Sequence, residues 1–301
     1  MQQWMNLLSQ HAVGQVLVNE PLAKYTTWRI GGPADVLVIP SNQEELSTLM
    51  TLLKEHQISW TQLGRGSNLL VADKGIRGVV IKLGEGFDYA TFEEDRIIAG
   101  AAHSVVKLCI LAAKKGLSGL EFAGGIPGSV GGAVYMNAGA HGSDTSKILQ
   151  SARIVLHDGQ IVTYSVEDMQ YAYRHSILQE QPGIVVEASF QMKLGDRTTI
   201  MAEMNTHKDR RRLTQPLQQP SAGSVFRNPP GDHSARLIEA AGLKGYRIGG
   251  AEISTQHANF IVNVGQSTAA DVLELISHVQ QEVMKQFGIE LQPEVYLMGE
   301  K

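Results

Sequence analysis

Seven glycines fall between Gly124 and Gly142, in a run that begins Gly124-Gly125-Ile126-Pro127-Gly128-Ser129-Val130-Gly131-Gly132 and continues to Asn137-Ala138-Gly139. Glycine enters backbone regions closed to other residues, and without a Cβ it lets main-chain N–H groups come close to a ligand. Successive N–H groups in such a turn form a concavity that binds anions. Gly64-Arg65-Gly66-Ser67-Asn68 has the same composition and would supply a second concavity. Two such loops suit a cofactor that carries a diphosphate. For 64–68 alone an ordinary tight turn explains the residues equally well; seven glycines in the longer run exceed what turn geometry asks for. No strand is followed by Gly-x-Gly-x-x-Gly opening a helix, so a Rossmann dinucleotide fold is not supported.

The remaining composition narrows the class. The chain has 301 residues, 43% hydrophobic and 19% charged, which fits a packed protein with room for two domains. A net charge of −4 gives no reason to expect nucleic-acid binding. Cys109 is the single cysteine, so an intrachain disulfide is impossible and a reducing compartment is expected. No secretory signal and no stretch of 18 apolar residues is visible, so the expectation is a cytoplasmic protein without a membrane span. The histidines, His141 among them, lack metal-ligand spacing, and no metal is expected. Cys109 lies mid-helix on an apolar face and reads as core packing.

Along the chain the pattern is α+β. Trp4, Leu7 and Leu8 give residues 1–20 the look of an arm or short helix. Val36-Leu37-Val38-Ile39, closed by Pro40, reads as a strand. Ser41-Asn42-Gln43-Glu44 reads as a capping box for a helix over 42–56, with Leu46, Leu49, Met50 and Leu53 on one face. Strands are expected at 79–81 and 97–99, and a helix from Val105 that ends at Gly116. Residues 152–166 and 184–194 alternate as antiparallel strands, with Asp158-Gly159 as a turn. A helical connector over 197–213 turns basic at Lys208-Asp209-Arg210-Arg211-Arg212, and Gln215–Pro220 marks a boundary. Beyond it, Asp232 would cap a helix ending at Gly242. Thr268-Ala269-Ala270-Asp271 would cap a longer one ending at Gly288, and 260–264 reads as a strand.

Thr26-Thr27-Trp28-Arg29-Ile30-Gly31-Gly32-Pro33-Ala34, Gly64 to Leu70, and Glu121 to Ala140 carry a likeness to a known family. These three segments resemble UDP-N-acetylenolpyruvoylglucosamine reductase (UDP-N-acetylmuramate dehydrogenase), a flavoprotein family of bacterial peptidoglycan synthesis. The resemblance continues through Tyr173-Arg174-His175-Ser176, Pro220 to Pro229, Gly242 to Ala251, His257-Ala258-Asn259-Phe260 and Leu291 to Val295. It implies a vanillyl-alcohol-oxidase/PCMH-type FAD-binding domain in two subdomains, 21–90 and 91–198, after an N-terminal arm. A connector at 199–213 and a C-terminal α+β substrate domain at 214–301 would follow. Non-covalent FAD would be held by Gly64, Arg65, Gly66, Ser67, Asn68, Gly124, Gly125, Gly128, Ser129, Gly131, Asn137 and Gly139. NADPH would be the reductant, UDP-N-acetylglucosamine enolpyruvate the substrate, and the protein a monomer.

The same resemblance implies that Arg174, Ser224 and Glu294 form the catalytic set. Hydride delivered to an enolpyruvyl carbon leaves enolate-like charge on its neighbour, which needs a proton. Ser224 is the candidate donor. Arg174, a planar double donor, and Glu294, a proton- or water-linked partner, would stabilise that charge. Asn228 matches a substrate-contacting asparagine, and Tyr173 would line the same cavity. The basic cluster is either a solvated helix face or the source, through Arg210 or Arg211, of a contact to the UDP diphosphate. Only about 30 residues separate Arg174 from the basic cluster, so the chain resembles the shorter form of the family, without its extra tyrosine loop. Two alternatives stay open: an FAD-dependent oxidase of the same fold, and a non-catalytic UDP-sugar or flavin-binding regulator. The oxidase reading is weakened because the 64–70 loop offers no histidine or cysteine for a covalent flavin link. The regulator reading does not require the catalytic set.

Overall fold

The computed structural model describes residues 2–300, and these cluster into two compact units. Unit 1 comprises 1–18, 36–65 and 78–211; unit 2 comprises 19–35, 66–77 and 212–301. The second unit is therefore discontinuous and takes two early segments as well as the C-terminal part of the chain.

In unit 1 a five-stranded antiparallel sheet has the order Ile161–Ser165, Leu149–Leu156, Gly183–Gln191, Arg96–Gly100, Ala90–Glu93. A four-stranded sheet has the order Gln15–Pro21, Pro33–Ile39, Ile76–Ile81, Trp60–Gln62, its last pair parallel. The first of these strands was hidden in the segment expected to be an arm; its sparse burial leaves no alternation to read. Helix α1 (Gln2–Ser9) precedes it.

Helix α2 (Gln43–Glu55) buries Leu46, Leu49, Met50 and Leu53, as its spacing requires. Its cap sits one residue later than expected. Asn42, not Ser41, accepts the Glu45 N–H at 2.9 Å, and Glu45 rather than Glu44 reaches back to the Ser41 N–H at 2.7 Å. Helix α3 (Val105–Lys114) starts at Ser104 and is followed by Gly116 at φ +72°. Cys109 on α3 is buried; its thiol donates to the Leu120 carbonyl, and burial first, then the charge of Glu121, push its pKa up to about 12. An inert core thiol follows.

The glycine run is not all loop. Val130–Tyr135 forms a short helix, α4, packed on the strand Gly183–Gln191. Glycine is a poor helix former. The helix is rescued by Ser129, whose Oγ accepts the Gly132 N–H at 3.3 Å, and by tertiary packing. Helix α5 (Arg197–Thr214) matches the expected connector.

Unit 2 has its own core, built around Trp28, Leu70, Phe226, Ile253, Ile261 and the buried face of the helix over 269–287. Trp28, fully buried, donates from Nε1 to the Ile261 carbonyl at 2.8 Å. Helix α6 (Ser234–Ala240) lacks the expected Asp232 cap: Asp232 pairs instead with Arg236. The Ser234 N–H at the start of α6 is met by Asn228 Oδ1 at 3.1 Å. Helix α7 (Ala269–Phe287) carries the expected capping box, Thr268 with Asp271, and Gly288 ends it at φ +68°. Asp73 adds a second clamp, its two carboxylate oxygens accepting the Ala269 and Ala270 N–H groups at 2.7 and 2.9 Å. Three short strands, Arg247–Ile248, Ala251–Ile253 and Ile261–Asn263, pack against it.

Candidate active site

Unit 1 gathers most of the residues expected to hold the cofactor. A cleft of about 460 Å³ is lined by Gln62, Gly64, Arg65, Lys82, Asp88 and Ser129, among others. Among the described residues the N–H groups of Gly64, Arg65, Gly125, Gly128 and Ser129 have no acceptor in the chain. Of these, Gly64, Arg65 and Ser129 line the cleft, and open N–H groups of that kind are what an oxyanion needs. Arg65 and Lys82 add two cations to the same cleft, and neither makes a salt bridge among the described residues. Burial first, and then the charge of Arg65, hold the Lys82 ammonium below its ordinary pKa. Two like charges that disfavour one another are relieved by a bound anion. Lys82 was not among the sequence candidates. It follows a run of apolar strand residues and carries no local signal; only the parallel pairing of Trp60–Gln62 with Val79–Ile81 brings it beside Arg65.

The glycines have a second use. A Cβ on Gly124 would stand 2.8 Å from Met204 Cγ, and one on Gly125 would stand 2.3 Å from Arg211 Cδ. Helix α5 thus lies on the start of the run at a distance that only glycine permits. Arg211 is held there by its stem, partly buried, rather than presented on a solvated helix face.

The end of the run is joined to the Tyr173-Arg174 turn. Ala172 and His175 exchange backbone hydrogen bonds, which leaves Tyr173 and Arg174 at the tip of a tight turn, Arg174 at φ +55°. Four side chains fasten this turn to 134–139. Tyr171 Oη donates to the Val134 carbonyl at 3.0 Å and Ser176 Oγ to the Tyr135 carbonyl at 2.7 Å. Both carbonyls belong to the last turn of α4, where helical partners run out. Asn137 Nδ2 donates to the Ala172 carbonyl at 3.1 Å, and Arg174 Nη2 to the Gly139 carbonyl at 3.0 Å. The guanidinium also lies over the Tyr173 ring, 4.9 Å from its centroid. Tyr173 is 62% exposed. Burial raises the Tyr171 pKa far above its ordinary value, so its hydroxyl stays a donor.

Unit 2 brings Ser224, Asn228 and Glu294 together by strand-like pairing. Phe226 bridges Pro293 antiparallel, the Glu294 N–H donates to the Val225 carbonyl at 2.7 Å, and Arg227 N–H to Gln292 at 2.9 Å. Ser224 and Glu294 are both half-buried. Asn259 clamps the segment from behind: its Oδ1 accepts the Phe226 N–H at 2.9 Å and its Nδ2 donates to the Phe226 carbonyl at 2.8 Å. Gly223, at φ +80° with open space where a Cβ would stand, sets the turn into Ser224. Gly66, Ser67 and Asn68 fall in this unit, not with Gly64 and Arg65. Asn68 Nδ2 donates to the Glu294 carbonyl at 3.2 Å, and the strand Leu69–Val71 that follows runs parallel to Tyr296–Met298. Asn68, expected from the sequence at the cofactor, also braces the Glu294 backbone.

Comparison with known proteins finds two family profiles along the chain. Residues 34–165 match the family profile described as FAD binding domain. Residues 215–298 match the profile described as UDP-N-acetylenolpyruvoylglucosamine reductase, C-terminal domain. The UDP-N-acetylenolpyruvoylglucosamine reductase of Bacillus pumilus is 54% identical over all of both chains, and that of Bacillus subtilis 53% identical over 97% of each. The crystal structure of UDP-N-acetylenolpyruvylglucosamine reductase (MurB) from Thermus caldophilus superposes with a TM-score of 0.81 at 37% identity. It covers 94% of this chain and 98% of its own. With likeness running from end to end through both profiles, the chain belongs to the UDP-N-acetylenolpyruvoylglucosamine reductase family.

Proposed function

We propose that the chain reduces UDP-N-acetylglucosamine enolpyruvate to UDP-N-acetylmuramate, with FAD as cofactor and NADPH as reductant. It would do so as a monomer in cytoplasmic peptidoglycan precursor synthesis. The observation that carries this reading is the end-to-end likeness to reductases of that name. The geometry of unit 1 fits the cofactor: a cleft of the right polarity holds open N–H groups and two cations for a diphosphate. Held by those residues, FAD would supply the hydride chemistry that links NADPH to the enolpyruvyl double bond.

The protein's own residues do the rest. Gly64, Arg65, Ser129 and Lys82 hold the diphosphate. Arg174, fixed by Gly139, meets the charge that develops on the substrate carboxylate with a planar double donor. Ser224 gives the proton to the carbon beside that carboxylate. A serine hydroxyl is a weak acid, so its transfer depends on charge stabilisation by Arg174 and on Glu294 as the source of a replacement proton. Asn228 keeps its Nδ2 for the substrate while its Oδ1 serves α6. Arg211 is assigned to the UDP diphosphate, and its partial burial lowers its pKa without removing its charge.

The test separates two half-reactions. In Ser224→Ala, NADPH is expected to bleach the flavin at the wild-type rate while reoxidation by the enolpyruvyl substrate slows by orders of magnitude. Equal slowing of both would remove Ser224 as proton donor. NADPH consumption that does not depend on UDP-N-acetylglucosamine enolpyruvate in the wild type would remove the reductase reading itself.

A further inference from the structure

Arg174 leans on a hairpin that is itself held at its tip. Gly139–Ala140 and Ser143–Asp144 pair antiparallel, and Gly139 supplies the carbonyl that accepts Arg174 Nη2. The two residues at the tip, His141 and Gly142, have φ of +53° and +78°. A two-residue turn with both φ positive favours Asn or Asp followed by Gly. A histidine at its first position is strained, and such strain persists only where the surroundings hold it. The holding contact comes from α5. The imidazoles of His141 and His207 stack with centroids 3.8 Å apart and planes 13° from parallel.

We propose that the His141–His207 stack is a positioning element for Arg174. The stack fixes the hairpin tip, the hairpin fixes the Gly139 carbonyl, and that carbonyl fixes the guanidinium. The functional consequence rests on the role given to Arg174 above. On this account neither histidine touches substrate or cofactor.

The surroundings make the stack sensitive to protons. Burial first, then the charges of His207, Arg210 and Arg211, hold the His141 pKa below its ordinary value. Lys147, from the turn Thr145–Lys147, donates to the Gly142 carbonyl at the same tip. The counter-charges are Glu203, 3.7 Å from His207 Nε2 on α5, and Asp144, whose carboxylate is engaged by Ser146. The rings stack while His141 is neutral. Protonating His141 adds a cation to a site that already holds Arg210, Arg211 and Lys147, and the rings part.

The experiment uses the full-length, FAD-loaded protein with His207→Ala, which removes the stack, and His207→Phe, which keeps a stacking ring that cannot take a proton. Amide hydrogen exchange over 139–144 and 172–176 is expected to quicken in His207→Ala and to stay at the wild-type rate in His207→Phe at about pH 8. Flavin reoxidation by substrate should slow about tenfold or more in His207→Ala, with reduction by NADPH unchanged. Wild-type reoxidation should fall on the acid side of the ordinary imidazole value of 6.5, and His207→Phe should flatten that fall, because a protonated His141 still stacks on a phenyl face. Unchanged exchange in His207→Ala overturns the proposal, and so does an acid-side fall in His207→Phe equal to the wild type's. Arg174→Ala separates this from the underlying reading. If exchange quickens in His207→Ala while Arg174→Ala reoxidises at the wild-type rate, the coupling stands and the role of Arg174 fails.

Discussion

Arg174 donates through Nη2 to the carbonyl of Gly139 at 3.0 Å, so the last glycine of the run before the hairpin tip holds the arginine read as catalytic. The geometry suits a planar guanidinium, whose several N–H donors point in fixed directions; an ammonium is a point donor. Arg174→Lys should therefore keep the charge and lose the placement. Substrate-dependent reoxidation of the flavin is expected to slow by about 10²-fold, on the order of 3 kcal/mol of lost charge stabilisation. The rate of bleaching by NADPH should not move. Stopped-flow traces at 450 nm check both; a lysine variant with the wild-type reoxidation rate would show that the Gly139 contact does not matter.

Asn137 is 5% exposed and tied on two sides. Its Nδ2 donates to the Ala172 carbonyl at 3.1 Å, and its Oδ1 accepts the Ser146 N–H at 3.0 Å. It also sits at φ +44°, a conformation that asparagine tolerates better than most residues. Asn137→Ala removes one of two partners from the Ala172 carbonyl, which keeps the His175 N–H, and one of two from the Ser146 N–H, which keeps Asp144, and it puts alanine at a positive φ that asparagine tolerates better. The expected cost is about 1–2 kcal/mol. It should appear as a lower urea midpoint with an unchanged slope. Asn137→Asp, which keeps the acceptor for Ser146, should lose less than the alanine variant.

What could be read from the sequence follows from how local each signal is. Helix α7 was legible because its stripe, its Thr268–Asp271 cap and its Gly288 stop all lie within one segment. Helix α4 was not, since glycine propensity argues against a helix at 130–135 and only the packing of that segment on a distant strand overrides it. The α6 cap was misread because Asn228, six residues upstream of Ser234, outcompetes the adjacent Asp232, which Arg236 takes away. The candidate site shows the same split. Composition suggested a phosphate cradle, but Lys82, Tyr171 and Ser176 enter only through tertiary pairing. Nothing local in Tyr-Arg-His-Ser or Val-Phe-Arg-Asn marks chemistry; Arg174, Ser224 and Glu294 came from the family resemblance alone.

Lys82 carries a prediction that the glycines cannot, because it can be changed without disturbing a turn. It shares a cleft with Arg65, and both burial and that charge lower its pKa. If the cleft takes the FAD diphosphate, Lys82→Met should weaken FAD binding about 10- to 100-fold, the loss of one charge-assisted hydrogen bond of roughly 1.5–3 kcal/mol. Affinity should also depend less on salt than in the wild type. Titrating cofactor-free protein with FAD, followed by flavin fluorescence at two ionic strengths, measures both. An unaltered dissociation constant and salt slope would place the diphosphate elsewhere.

His257 links proton uptake to the segment that carries Ser224. Its Nδ1 accepts the Asn259 N–H at 3.2 Å, and the Asn259 side chain in turn clamps both backbone groups of Phe226. The ring packs edge-on against Phe260, and burial holds its pKa below the ordinary 6.5. In the unfolded chain the same ring titrates near 6.5, so the unfolded state binds the extra proton first. The stability that His257 contributes is therefore complete above about pH 6.5 and is lost as pH falls from there through the lower folded value. Protonation also turns Nδ1 from acceptor to donor and sets it against the Asn259 N–H. His257→Asn offers an acceptor that does not ionise. It should be less stable than the wild type at about pH 7.5, where the ring's packing on Phe260 is lost, and should show a shallower decline toward about pH 5.5. Urea unfolding of both proteins across that range gives the two slopes. Parallel slopes would mean that His257 takes up its proton alike in the folded and unfolded chains, and that Asn259 is held without it.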